Sequence, residues 1–231
     1  SDAHDHLPGD SNYACQRALA RLIAAVREAH PSTYIFTCRP PMDLGVWSLQ
    51  NVDVCFTLLE SGTAGEEVSP LSGLSGQPLN VVAGDHIRTW SRARVHHDFF
   101  PHYLDQPLVF PSRAAAQDSA PNWPRGNLDY ILLSAISSSP NQLYYMPTKT
   151  GIPEEDRAEI RRWLDWGRKN EAYLKVRSDL PGWPAAGRVD GSAHITGDRG
   201  LVILFNPNPE AASGEFALTE ESIGLEAIGS L

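Results

Sequence analysis

Short apolar runs separated by long polar stretches set the pattern of this chain. Tyr34-Ile35-Phe36 forms one run, and a second extends from Val52 to Leu59 with many β-branched and aromatic residues. Runs of this length and composition are typical of strands that are buried on both faces, as in parallel sheets. The pattern therefore predicts two neighbouring strands, the first ending at Cys38, joined by a polar loop.

Helical periodicity flanks these two strands. Residues 11–29 place apolar side chains on one helical face, and His30-Pro31 ends the helix. Further helices are predicted over about residues 86–100, over 128–138 and from Pro153 onward. Short strands are predicted at 108–110 and 143–146. This repeat of helix, proline break and buried strand is typical of an α/β barrel.

The tail of the chain has a different pattern. Residues 190–205 read as a strand, a Gly-Asp-Arg-Gly turn and a second strand, and prolines follow directly. The tail therefore predicts antiparallel strands after the helix–strand repeats.

The composition indicates a folded protein and excludes some partners. Apolar residues make up 42% of the chain and charged residues 20%, which suits a globular core. The net charge of −9 does not suit a nucleic-acid surface, and no apolar run approaches the roughly 20 residues of a membrane span. The three cysteines, Cys15, Cys38 and Cys55, are expected to be buried free thiols.

The polar loop between the two strands carries the first candidate site. Arg39, Asp43, Trp47, Gln50 and Asp53 lie in or beside it. In α/β barrels the chemistry sits in loops at the carboxyl ends of strands, and a Trp with Arg and Asp suits a sugar ligand. The alternative interpretation is a surface loop with an ion pair and a packed Trp.

The stretch from Thr33 to Glu60 resembles the clan D glycoside hydrolases, the α-galactosidase-like families 36 and 27. Family 36 enzymes have a strand that ends in Cys, then an Asp-x-Gly step, a Trp and an Asp-Asn-Thr-Asp-type sequence. The matching positions here are Cys38, Asp43-Leu44-Gly45, Trp47, Asn51 and Asp53. Family 27 has an Arg-x-x-x-Asp motif, and Arg39 and Asp43 have that spacing.

The chain departs from the family 36 pattern at two places. Residues 39–42 replace the Gly-rich segment, and Gln50 occupies the position of the acid/base Asp. A glutamine cannot donate and recover a proton. Either Asp53 or Asp43 takes that role, or the register slips, or the protein is not a catalyst of the usual kind.

The resemblance implies a retaining glycoside hydrolase that acts on terminal α-linked sugars and needs no cofactor or metal. The acid/base would be Asp53 or Asp43, and the substrate-binding residues would be Arg39, Trp47, Gln50, Cys38, His4 and Asp5. No apolar strand precedes Asp2, so the nucleophile is expected upstream. The expected partner is an oligosaccharide or glycoside.

The number of elements predicts an incomplete barrel. About four helix–strand repeats are present, whereas an eight-fold barrel needs about 250 residues. We therefore expect the later half of a (β/α)8 TIM-type barrel over residues 1–180 and the start of an antiparallel β domain over 181–231. The remainder of the barrel is expected on the same or a second chain.

Two other functions are compatible with the residues. A non-catalytic carbohydrate-binding or structural protein on a degenerate barrel would explain Gln50. A metallohydrolase could use His96, His97, Asp98 and His102, although their spacing matches no zincin motif. The simpler interpretation of these histidines is a helix end, where they face the negative end of the dipole.

Overall fold

The computed structural model shows a mixed helix-and-sheet protein in two compact units, Ser1–Leu58 and Leu59–Leu231. It describes residues 11–38, 50–56, 79–97, 102–104, 108–109, 127–141, 143–144, 153–185, 187–216 and 219. Among these residues, no helix has the length and apolar character that crossing a membrane requires.

The first unit contains one helix and two parallel strands. Helix α1 spans Ser11–Ala29, β1 spans Phe36–Cys38 and β2 spans Val54–Phe56. Phe36 of β1 pairs with Val54 of β2 in parallel register. The predicted helix and the parallel arrangement of the two strands are therefore confirmed.

The burial of side chains in the first unit differs from the expectation. Of the α1 side chains from Tyr13 to Ala29, Ile23 alone is buried, and Leu22 is 62% exposed. Phe36 is 44% exposed, so β1 is not covered on both faces. Cys15 is an exposed free thiol. The prediction that it is buried was wrong, because so little of α1 is covered. The side chains of Cys38 and Cys55 lie outside the described residues.

The second unit begins with helices that alternate with short parallel strands. Helix α2 spans Leu79–His97, β3 Leu108–Val109, α3 Leu128–Ser138 and β4 Leu143–Tyr144, with a 3₁₀ turn at His102–Leu104. Strands β3 and β4 pair in parallel, with α3 between them in the chain. Helix α2 begins seven residues before the predicted position, whereas α3 has the predicted bounds.

Helix α3 is the centre of the second unit's core. Its Ile131, Leu132, Ala135 and Ile136 side chains are all fully buried. They pack against α2 and against helix α4, which spans Glu154–Lys169. Acidic residues fill the first turn of α4, as the sequence predicts.

An antiparallel sheet follows the helices. After the short helix α5, Glu171–Leu174, come β5 (Ser178–Asp179), β6 (Asp190–Thr196) and β7 (Arg199–Phe205). The order in the sheet is β5-β6-β7, and Gly197, with φ of 63°, forms the turn between the last two strands. The predicted strand–turn–strand is confirmed. In the described residues each parallel sheet has two strands, so no barrel is observed there.

Close packing of α2 on α3 depends on Gly84. A Cβ atom at this position would lie 2.8 Å from Ser134 Oγ and 2.9 Å from Tyr130 Cδ1. We expect Gly84→Ala to lower the free energy of unfolding by up to about 2 kcal/mol, because an overpacking cost of about 1–3 kcal/mol is offset in part by a gain of about 1 kcal/mol in helix propensity. Urea denaturation followed by circular dichroism measures the change.

Gly167 in α4 provides a matched control. A Cβ there would meet nothing closer than Ile136 at 3.9 Å, so Gly167→Ala should stabilise the protein or leave it unchanged. If Gly84→Ala and Gly167→Ala stabilised the protein equally, the close approach of α2 to α3 at Gly84 would not be important for stability.

Candidate functional site

Most of the site predicted from the sequence lies outside the described residues. This applies to Arg39, Asp43, Trp47, His4 and Asp5. Cys38 is the last residue of β1, and Gln50 lies exposed in a turn before β2. Asp53 is the candidate whose side-chain contacts are defined.

Asp53 is held by an ion pair and a backbone hydrogen bond. Its Oδ2 accepts hydrogen bonds from Arg27 Nη2 and from the backbone N–H of Ile35, each at 2.6 Å. Partial burial opposes ionisation of the Asp53 carboxyl, but the Ile35 N–H and the Arg27 guanidinium outweigh it and lower its pKa. A glycosidase acid needs the opposite shift, a raised pKa. The acid/base role of Asp53 stays a prediction.

Arg27 links the end of α1 to both strands. Its Nη1 donates to Thr33 O at 2.7 Å, and its Nη2 donates to Asn51 O at 3.2 Å as well as to Asp53. These contacts lie before the first residues of β1 and β2, at the amino edge of the parallel pair. Cys38 lies at the opposite, carboxyl edge. The structure therefore does not bring Asp53 and Cys38 together.

A buried polar cluster in the second unit was not predicted. Arg88 of α2 donates two hydrogen bonds of 2.9 Å to Asp190 of β6, from Nε to Oδ1 and from Nη2 to Oδ2. It also donates to Ser134 Oγ at 2.7 Å and to Tyr130 Oη at 2.9 Å. Its guanidinium lies 4.0 Å from the ring centre of Phe205. Arg88 and Asp190 are almost fully buried, so this is a bidentate ion pair inside the core.

A second cluster surrounds Asp179 of β5. Arg177 Nε and Nη2 donate to Asp179 Oδ1 at 2.9 and 2.7 Å, and Arg92 Nε lies 3.3 Å from the same oxygen. His96 Nε2 lies 3.1 Å from Oδ2. Burial opposes ionisation, but Arg177 and Arg92 outweigh it and lower the pKa of Asp179. Arg92 also donates to the backbone carbonyls of Gly182 and Gly191. Arg177 also donates to the Ser138 carbonyl and to Ser91 Oγ.

Two buried histidines lie beside this cluster. His102 Nε2 lies 3.1 Å from Leu174 O, and His194 Nδ1 lies 2.8 Å from Val176 O. His194 Nε2 is 2.9 Å from Ser192 Oγ. Burial is the largest effect on both imidazoles and lowers each pKa to about 4. Both rings are therefore neutral at pH 7.

The structure does not place all of these histidines at the end of a helix, as the simpler interpretation of the sequence expected. His96 lies in the last turn of α2 but contacts a carboxylate, and His102 lies on the separate 3₁₀ turn. The interpretation was wrong for His102, because α2 ends at His97. No group of three or more metal-ligating side chains occurs among the described residues. Asp98 and the side chain of His97 lie outside them.

The sequence contains a partial signal for these clusters. Arg88 and Arg92 are four residues apart and therefore share one face of α2, next to the buried Ile87. A cationic pair on a face that packs into the core needs buried carboxylates. Their partners cannot be identified by spacing, because Asp190 is 102 residues from Arg88.

A cavity of about 170 Å³ lies beside α4 and α5 in the second unit. It is lined by Pro140, Leu164, Gly167, Arg168, Glu171 and Leu174.

No protein-family model, curated protein or solved structure matches the chain.

Proposed function

We propose that this chain is part of a retaining α-galactosidase-like glycoside hydrolase, with the later half of a (β/α)8 barrel followed by the start of a β domain. The order of elements in the second unit carries the proposal. Parallel strands β3 and β4 flank α3, and an antiparallel sheet begins at Ser178, soon after α4. The proposal also rests on the resemblance of residues 33–60 to clan D enzymes.

Within this proposal, Asp43 is the better candidate for the acid/base. Asp53 is kept ionised by Arg27 and Ile35 at the amino edge of its strand pair, whereas barrel enzymes carry their chemistry at the carboxyl edge. Asp43 follows β1, which ends at Cys38. Retention needs a second carboxylate about 5–5.5 Å from the first, and that nucleophile would lie upstream of residue 11.

A panel of nitrophenyl α- and β-glycosides, applied to the assembly that contains the remainder of the barrel, tests the proposal. We expect hydrolysis of an α-galactoside, measured as released nitrophenol, and a loss of at least about 100-fold in kcat for Asp43→Asn. The matched variant Asp53→Asn should instead lower thermal stability and retain a larger fraction of the wild-type kcat than Asp43→Asn does. Retention of full activity by Asp43→Asn would contradict the assignment of Asp43.

A second candidate function is non-catalytic carbohydrate binding. Gln50, exposed in the turn before β2, cannot transfer a proton, and Asp53 is occupied by its ion pair with Arg27. If no glycoside in the panel is cleaved and calorimetry still detects sugar binding, the hydrolase proposal fails and the binding function is supported.

A further inference from the structure

The segment Leu174–Asp179 connects helix α5 to strand β5 and is contacted by histidines from three different elements. We refer to this segment as the connector. His102 of the 3₁₀ turn contacts the Leu174 carbonyl, and His194 of β6 contacts the Val176 carbonyl. His96 of α2 contacts the Asp179 carboxylate.

The two buried histidines hold the connector as neutral donors. A carbonyl oxygen accepts a hydrogen bond, so His102 Nε2 and His194 Nδ1 each carry a proton. The remaining nitrogen of His194 faces Ser192 Oγ, whose hydroxyl can donate to it. Protonation of His194 would turn this nitrogen into a donor, so that the Ser192 hydroxyl would have to rotate and accept the hydrogen bond.

The charges around the two histidines oppose their protonation. The positive charge of Arg177 in the connector lowers the pKa of both imidazoles, and a charge on His102 would also lower the pKa of His194. Asp179 is the negative group facing them, and it already binds Arg177, Arg92 and His96. Arg177 donates a hydrogen bond to the Ser138 carbonyl at the end of α3, and in the 3₁₀ turn the ring of Tyr103 lies edge-on to His102. Protonation of both histidines would therefore increase the excess of positive charge in this buried cluster.

We propose that the connector is an acid-sensitive latch, in which neutral His102 and His194 hold the connector to the sheet and the 3₁₀ turn, and protonation of both releases it. The exposed ring of His96 contacts the Asp179 carboxylate at the other end of the connector. Release separates the α5 end of the helical layer from β5 while the α3 core remains folded.

Hydrogen exchange of the full chain tests the latch. The amides of Lys175 and Val176 donate to the carbonyls of Glu171 and Tyr173 in α5, and the amide of Leu180, directly after the connector, donates to Gly191 O in β6. Between pH 7.5 and 5.5, after correction for intrinsic exchange, we expect their opening equilibrium to rise about tenfold per histidine, or about 100-fold in total. The reason is that each imidazole returns to its ordinary pKa when the connector opens. Amides of α3 report global unfolding and serve as the reference.

Two substitutions remove the titration but keep the hydrogen-bond donor. Gln at 102 and Asn at 194 place an amide N–H near the original ring nitrogens, so the double variant His102→Gln/His194→Asn should show a flat response to pH. His86→Gln is the matched control. Burial also lowers the pKa of His86 to about 4, and its ring nitrogens have no hydrogen-bond partner among the described residues. This control should retain the 100-fold response.

Three results would overturn the latch. The wild-type connector could open equally at pH 7.5 and 5.5, a result that requires no variant to fold. The double variant could open as much as wild type on acidification. The His86→Gln control could lose the response.

Discussion

Replacing Asp190 by alanine is expected to lower the free energy of unfolding of the second unit by about 3–5 kcal/mol, as urea denaturation would measure it. The reason is that the substitution removes the carboxylate that pairs with the buried guanidinium of Arg88. This guanidinium is 3% exposed and would lose both hydrogen bonds of its bidentate pair. Ser134 and Tyr130 would remain as neutral acceptors, and the remaining carboxylate, Asp85, lies 4.0 Å from Arg88 Nη2, too far for a hydrogen bond that would replace the bidentate pair.

Two further variants separate the cost of an unpaired charge from the value of the pair. Arg88→Met with Asp190→Leu removes both charges, and it should recover much of the lost stability because apolar replacements of buried pairs are often neutral. Arg162→Ala breaks the exposed pair with Glu159 on α4 and should cost less than about 1 kcal/mol. If Asp190→Ala costs no more than Arg162→Ala, the buried pair does not stabilise the core as we infer.

Acidification from pH 7.5 to pH 5 should lower the free energy of unfolding by about 6 kcal/mol, about 2 kcal/mol for each of three buried histidines. Burial lowers the folded-state pKa of His86, His102 and His194 to about 4, against an ordinary value of 6.5. Between these values the unfolded chain binds protons that the folded chain does not. The stability is therefore fully present above pH 6.5 and is lost as the pH falls toward 4.

Denaturation midpoints measured at several pH values test this dependence. The triple variant His86→Gln/His102→Gln/His194→Asn should have a much shallower slope between pH 6.5 and 5. His30→Gln, which alters an exposed ring at the end of α1, is the matched control and should keep the wild-type slope. The lowered pKa values of Asp53 and Asp179 act below pH 4, outside this window. An unchanged slope in the triple variant would show that other groups control the acid response.

The elements that could be predicted from the sequence are those with a complete local signal. The bounds of α1 follow from helical periodicity and the His30-Pro31 stop, and the β6–β7 hairpin from its glycine turn. The start of α2 was missed because Gly84 resembles a helix breaker. Its role depends on Tyr130 and Ser134, which approach it from α3.

The candidate sites depend on contacts that no local pattern contains. Asp53 was predicted from its position beside a strand, but its partner Arg27 lies 26 residues earlier, on α1. Asp190 begins a predicted strand and Asp179 lies in a short polar stretch, and neither position carries a local signal of burial. They are buried because Arg92 and Arg88 on α2 meet them across the second unit. The sequence pattern shows which residue types lie at the end of a strand. The three-dimensional contacts are needed to identify which carboxylate is paired.

The anchoring by Arg27 has a consequence for protein engineering. Arg27 binds Thr33 on one side of residues 39–49, and Asn51 and Asp53 on the other, so the ends of this segment are fixed by contacts outside it. Doubling the length of a flexible loop costs only about 0.6 kcal/mol. Segments of different length and sequence could therefore be grafted between β1 and β2 without loss of the strand pairing.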